Sequence, residues 1–319
     1  MREYVTRRLM LFIPTIIGVS IIIFLLMRVM PGDVAMIILS GPGGEAAVNQ
    51  EDLERVREML GLNKPLWEQY LIWVWGVISF NPGKSLITDV PIVEEITNRF
   101  PLTLELAILT ALVSTLIAIP IGVISAIRQD SWPDYVFRVI AIGGLAMPSF
   151  WVGTLIMLAL VIFIGWMPPL GFAHLWQEPT DNLQQIMWPA IALGYFYAAG
   201  ISRMTRSCAL EVLRQDYIRT AWSKGLKEFT IVIRHVMKNS LLPVVTMIGL
   251  EFAYLLGGTV VQETIFSLPG VGSHLVQSII WRDYPTVQVI IVWFAFLVLM
   301  VNLVVDISYG WLDPRVRYQ

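Results

Sequence analysis

Few residues in this 319-residue sequence are placed to do covalent chemistry. Gly83-Lys84-Ser85 has the end of a phosphate-binding loop, where a lysine reaches phosphate and a hydroxyl meets its metal ion. The full pattern needs a glycine five residues before Gly83, and Ile78 stands there, in a segment that reads as helix. An ATP site is therefore rejected, and no nucleotide site is assigned to the chain. His174, His235 and His274 are far apart and lack ligand spacing, and no HExxH run occurs. Cys208 is the only cysteine, which excludes an intramolecular disulfide and a cysteine-based zinc site. With no nucleophile elbow and no paired carboxylates on a soluble domain, no catalytic residue, metal or cofactor is assigned. One carboxylate is different. Glu251 interrupts an apolar run, and a charge inside a bilayer is a functional candidate by default.

The elements that position Glu251 follow from composition. Residues are 56% hydrophobic and 14% charged, with a mean hydropathy of +0.68. A soluble domain carries roughly 25% charged residues. The net charge of −2 gives no field for nucleic acid. Six runs approach the roughly 20 residues that span a bilayer: 9–27, 106–127, 139–165, 183–202, 239–262 and 287–305. The first is not a cleaved signal peptide, because Arg28-Val29-Met30-Pro31 follows it instead of small residues. Pro148 is expected to kink the third. Gly143, Gly144 and Ala146, with Ala253, Gly257 and Gly258, provide small edges for close helix packing.

Basic residues orient the spans. With the N-terminus inside, the stretches 1–8, 128–138, 203–238 and 306–319 are cytoplasmic and hold 3, 2, 8 and 2 basic residues, fifteen of the 22. Segment 203–238 has 8 basic and 3 acidic residues, a net +5, whereas 31–100 has 5 basic and 10 acidic, a net −5. The reading is an all-α, polytopic membrane protein of six transmembrane helices, N-in and C-in. Residues 1–30 form the cytoplasmic end and first helix, 31–100 an extracytoplasmic helical loop, and 101–319 a five-helix core with a cytoplasmic loop at 203–240. Arg203, Glu105 and Asp306 sit at span ends, where snorkelling or pairing is expected. Glu251 either lines a water-filled path or is held by a polar neighbour.

The outer loop is structured. Glu51–Leu60 reads as a helix, with Leu53, Val56 and Leu60 at helical spacing and Gly61 as its stop. Pro65 starts a second helix whose Leu66, Tyr70, Trp73, Val74 and Val77 share one face. Tryptophans 67, 73 and 75 suit the membrane interface, and the pair also suits a cap on the spans.

Between spans four and five stands DYIRTAWSKGL, residues 216–226. Asp216 is read as the N-cap, Tyr217 to Lys224 as two turns, Gly225 as the left-handed stop and Leu226 as the apolar residue after it. Two turns are not stable alone, so this helix must dock. Ala221 is read as a notch on its surface, with Tyr217 and Trp222 free to insert into a pocket. The alternative is a loop helix packed on its own spans.

These residues, with "RHVMKNSLLPVVTMIGL" after them, resemble the cytoplasmic coupling loop of ABC importer permeases of the dipeptide/oligopeptide/nickel family, and among them the peptide permease B-type subunit. The family's Glu-Ala-Ala-x-x-x-Gly signature is matched in part: Arg219, Thr220 and Ala221 take its first three positions and Gly225 its last. "RRLMLFIPTIIGVSIIIFLLMRVMPGD", "PLTLELA", "ETIFSLPGVG", "RDYP" and "NLVVDISYGWLDPR" extend the resemblance over almost the whole chain. Trp222 and Glu251 depart from it, standing where small or basic residues and a glutamine are usual.

The resemblance implies a permease subunit of an ATP-driven importer in a bacterial or archaeal inner membrane. It implies a second permease, usually non-identical, two cytoplasmic ATPase subunits that bind the ATP, and an extracytoplasmic binding protein that delivers di- or oligopeptides. Asp216, Tyr217, Arg219, Thr220, Ala221, Lys224, Gly225 and Leu226 would seat in an ATPase cleft, with Glu251 as a translocation-path candidate. Nickel, glutathione or an oligosaccharide are the alternative cargoes. A secondary transporter is a rival of another class, but no internal repeat is seen and the +5 loop has no role in it. An intramembrane protease would need a catalytic pair, and Asp306 and Glu251 lack a supporting motif.

Overall fold

The computed structural model describes residues 2–29, 35, 36, 39, 49–59, 61–167 and 171–312. The described residues are helical, with a single isolated bridge, Lys84 to Pro91. Helix α1 is Arg2–Val29. The loop helices follow as expected: α2 is Gln50–Met59 and α3 is Leu66–Ile78, capped by Pro65. Gly61 takes φ +65 at the stop of α2. Leu60, the side chain of Val56, and much of 31–48 lie outside the described residues.

The core is built from α4 (Ile92–Ile127), α5 (Trp132–Ala146), α6 (Ser149–Ala159, continued by a π turn to Ile164), α7 (Pro179–Leu213), α10 (Lys238–Ile265) and α12 (Tyr284–Leu312). Short helices α8 (Asp216–Ser223) and α9 (Glu228–Ile231, with a π turn to Met237) join α7 to α10, and α11 (Val271–Ile280) precedes α12. Helix α7 is central: it packs most extensively on α4 and also touches α5, α6 and α10. At the tightest point a Cβ on Gly122 of α4 would lie 2.6 Å from the Ser202 carbonyl, so only glycine lets these helices approach so closely.

Two expected spans differ. Four stretches among the described residues are long and apolar enough to cross a bilayer: Met10–Val29, Ile92–Ile127, Glu228–Ile265 and Tyr284–Ser308. The third expected span is not one kinked helix; α5 and the α6 segment meet at 104°. Pro148 explains the break, because its ring disfavours helical geometry at the residue before it, and Met147 is extended at φ −95, ψ 128. The fourth, α7, is 35 residues long but not apolar enough to join the four. It meets protein on most sides and so carries buried Asn182 and Gln185. Asn182 Nδ2 donates to Glu105 Oε2 at 2.9 Å and to the Ala173 carbonyl at 2.8 Å.

Helix α3 has no buried residue, yet one face rests on α1. Tyr70 Oη lies 2.8 Å from Ser20 Oγ, and Phe24 packs edge-on against Tyr70 at 5.5 Å. Trp67 and Trp75 on the same helix are 65% and 70% exposed, so the cap uses one face of the helix and leaves these two rings outside it.

Candidate functional site

The segment 216–226 begins one residue earlier than the sequence implies. Gln215, at φ −75 and ψ 149, is the N-cap, and Asp216 is the first helical residue. Its carboxylate still faces the positive end of the helix and pairs with Arg219 at 3.3 Å. The stop is as expected. Gly225 has φ +72, its N–H donates to the Trp222 carbonyl at 2.9 Å, and the Leu226 N–H donates to the Ala221 carbonyl at 3.4 Å. These two bonds are the Schellman ending, in which a left-handed residue returns the chain to the last carbonyls.

Which face turns inward corrects the sequence reading of Ala221. Ala221 is buried, with Ile218, in a cluster of Ala126, Ala209, Ile231 and Val236 from α4, α7, α9 and its π turn. The small residue lets α8 lie close on its own chain and is no outward notch. The helix docks on its own spans through one face, as the alternative reading had it. The other face remains free: Tyr217 is 43% exposed and Trp222 48%. Thr220 and Ser223 are exposed and bond back to the Asp216 and Arg219 carbonyls. Lys224 is the exposed C-cap. Tyr217 is also steadied, since its Oη accepts from Asn239 Nδ2 at 2.9 Å.

Glu251, on α10, is half-buried and makes no hydrogen bond or ion pair among the described residues. Its Oε2 is shielded and unpartnered, and a Cβ on Gly200 of α7 would sit 3.1 Å from its Oε1. Of the two readings of Glu251, retention by a polar neighbour finds no support in this geometry. Two of the three span-end charges have partners: Asp306 pairs with Arg8 at 2.9 Å, and Glu105 accepts from Asn182. Arg203 is exposed.

Gly83-Lys84-Ser85 performs a structural task. Buried Ser85 donates through Oγ to Asp283 Oδ2 at 2.6 Å, and the Leu86 N–H donates to the other oxygen at 3.2 Å. Asp283 thereby holds the loop between α3 and α4 to the start of α12, where Thr286 also donates to it at 2.7 Å.

Three buried clusters were not singled out in sequence. Asp134 accepts from Arg206 Nε at 2.9 Å and Nη2 at 2.8 Å, and from Ser125 Oγ. Glu263 accepts from Thr103 Oγ1 at 2.8 Å and the Ser273 N–H at 2.9 Å. A Cβ on Gly270 would come within 2.3 Å of its carboxyl, which explains the glycines of "ETIFSLPGVG". Glu95 accepts from Thr88 and lies 3.1 Å from His274 Nε2. Burial pushes the His274 imidazole below its ordinary 6.5 and Arg99 adds to this, while Glu95 and Asp283 oppose it. Only the motif glycines were a usable signal, since the partners lie up to 179 residues apart.

Comparison with known proteins agrees with this architecture. Residues 118–318 match the family described as "Binding-protein-dependent transport system inner membrane component", and residues 1–107 match its N-terminal counterpart. The chain is 37% identical over 319 residues to the glutathione transport system permease protein GsiC of Escherichia coli (strain K12), covering 100% of both. It is 39% identical over 318 residues to a putative peptide transport system permease protein of Brucella abortus (strain 2308), again covering 100% of both. A solved structure titled "Crystal structure of an amino acid ABC transporter with histidines" matches with a TM-score of 0.52 at 15% identity, over 68% of this chain and 94% of that one, and shares the fold. The chain therefore belongs to the binding-protein-dependent transport system inner membrane component family, as a multi-pass permease subunit of an ABC importer.

Proposed function

We propose that the chain crosses the membrane six times with both ends in the cytoplasm, forms half of a pore with a second, non-identical permease, and carries di- or oligopeptides released by an extracytoplasmic binding protein. Two ATPase subunits bind the ATP and push on α8. The observation that carries this reading is the division of α8 into two faces. Ile218 and Ala221 fix it to α4, α7 and α9, so a force on the helix moves the spans. Tyr217, Arg219 and Trp222 are exposed on the opposite face, where a partner can grip them. The +5 charge of 203–238 against −5 for 31–100 supports the orientation.

Peptide cargo is supported by the relatives named for peptide and for glutathione, itself a tripeptide. Glu251 lies on the path in this reading, a half-buried carboxylate with no partner of its own among the described residues. The test uses the exposed face alone. Trp222→Ala removes an outward aromatic without touching the buried cluster, and an interface anchor of this kind is worth about 2 kcal/mol or more. ATPase association should fall about thirtyfold at an unchanged membrane level. Association equal to the parent's refutes the docking role.

A further inference from the structure

An open cavity of about 700 Å³ lies between α4, α5 and α7, beside the stem of the loop that carries α8. Nothing in the coupling or path reading uses it. Its wall has two chemistries. Phe137, Ile142 and Leu145 form an apolar slope along α5, and Ile142 is 65% exposed. Four arginines also line it: Arg138 on α5, and Arg203, Arg206 and Arg214 spread along α7 and its end. The acidic groups near them are fewer. Asp134 is taken up by Arg206, Asp130 also acts on Arg206, and Glu211 is the carboxylate on the wall.

The arginines are incompletely satisfied. Nε and Nη2 of Arg138 are shielded from solvent and have no hydrogen-bond acceptor. Its Nε lies 3.5 Å from Asp134 Oδ1, which is ion-pair distance outside hydrogen-bond geometry. Arg138 stacks instead on the Tyr135 ring at 4.5 Å, which holds the guanidinium in place. Arg203 and Arg214 are exposed and have no ion pair among the described residues. The exposed, unpaired guanidinium groups of Arg203 and Arg214 are open to an acceptor, and the planar fork matches the oxygens of a phosphate.

We propose that this cavity seats the phosphate of an anionic phospholipid, with an acyl chain laid along Phe137, Ile142 and Leu145. A soluble anion would gain nothing from the apolar slope, and a neutral lipid would leave the arginines uncompensated. Basic pockets between membrane helices are suited to such headgroups. The proposal needs only a membrane-embedded chain, so it stands or falls separately from the cargo and coupling readings.

The test uses the complete transporter with its ATPase subunits, reconstituted with equal phosphatidylglycerol and phosphatidylcholine, then delipidated and examined by native mass spectrometry. The parent should retain phosphatidylglycerol over phosphatidylcholine. The R203Q/R214Q pair should lower that preference about thirtyfold, from about fivefold for each basic contact to the headgroup. Ile142→Trp, which fills the apolar slope and keeps every charge, should also lower retention and guards against misfolding in the arginine pair. Equal retention of the two lipids by the parent overturns the proposal. A parent preference that survives both variants places the retained lipid outside this cavity and overturns it as well. Complete displacement of phosphatidylglycerol by excess inorganic phosphate shows a free-anion site and likewise overturns the lipid assignment.

Discussion

Gly225 offers a perturbation whose size can be worked from geometry. Its φ of +72 is left-handed, and a Cβ built there meets nothing within 4 Å. Any loss on substitution therefore comes from backbone conformation and not from a clash. An L-residue in this region costs roughly 1–2 kcal/mol, and a β-branched one is a stronger outlier. If α8 relaxes instead, it gives up the bonds from Gly225 to Trp222 and from Leu226 to Ala221. A two-turn helix has little stability to spare, so the docking-competent fraction should fall about 5- to 30-fold in Gly225→Ala and further in Gly225→Val. Gly225→Asn should lie between parent and Ala, because asparagine tolerates the left-handed region. The assay is ATP hydrolysis stimulated by cargo-loaded binding protein, in reconstituted complexes matched for membrane level. Parent-like coupling in Gly225→Val refutes the reasoning, and so does an Asn variant as impaired as Val.

Three further outcomes are expected. Asp134→Asn leaves Arg206 without its buried partner and should lower the melting free energy of the complex by about 3 kcal/mol, while replacing both residues by apolar ones of similar volume should recover much of the loss. Glu251→Gln should leave assembly and basal ATP hydrolysis intact but change transport of cargo with a free ammonium group; equal transport at every pH tested makes Glu251 structural. His274 has its folded pKa lowered by burial, so its contribution is complete above the unfolded value of about 6.5 and is lost as pH falls below it, at up to about 1.4 kcal/mol per pH unit. A melting temperature measured down this range should drop less in His274→Gln than in the parent.

The sequence carried the punctuation of this fold better than its facing. Gly61, Pro65 and Gly225 each stop or start a helix where expected, because backbone constraints of glycine and proline act locally. The inward turn of Ala221 was not legible, since a two-turn helix exposes small and aromatic residues on both sides and only α4, α7 and α9 decide between them. Pro148 announced a bend, but its size depends on Met147 also leaving the helix. Helix α7 was expected to be an ordinary span, and its polarity makes sense only once α4, α5, α6 and α10 surround it. Asp134 and Arg206 stand 72 residues apart, and no spacing rule connects them. Glu251 was legible as an anomaly because a lone carboxylate in an apolar run needs no partner to be noticed.

The central claim is that the free face of α8 meets an ATPase subunit in the cytoplasm. Site-specific photocrosslinking tests it most directly, with a photoreactive phenylalanine analogue at Trp222 in one complex and at Trp75 of α3 in another. The account predicts a crosslink to an ATPase subunit from position 222 and none from position 75, both exposed in the isolated chain. An ATPase adduct at position 75, or its absence at 222 in a fully assembled, ATP-hydrolysing complex, contradicts the account.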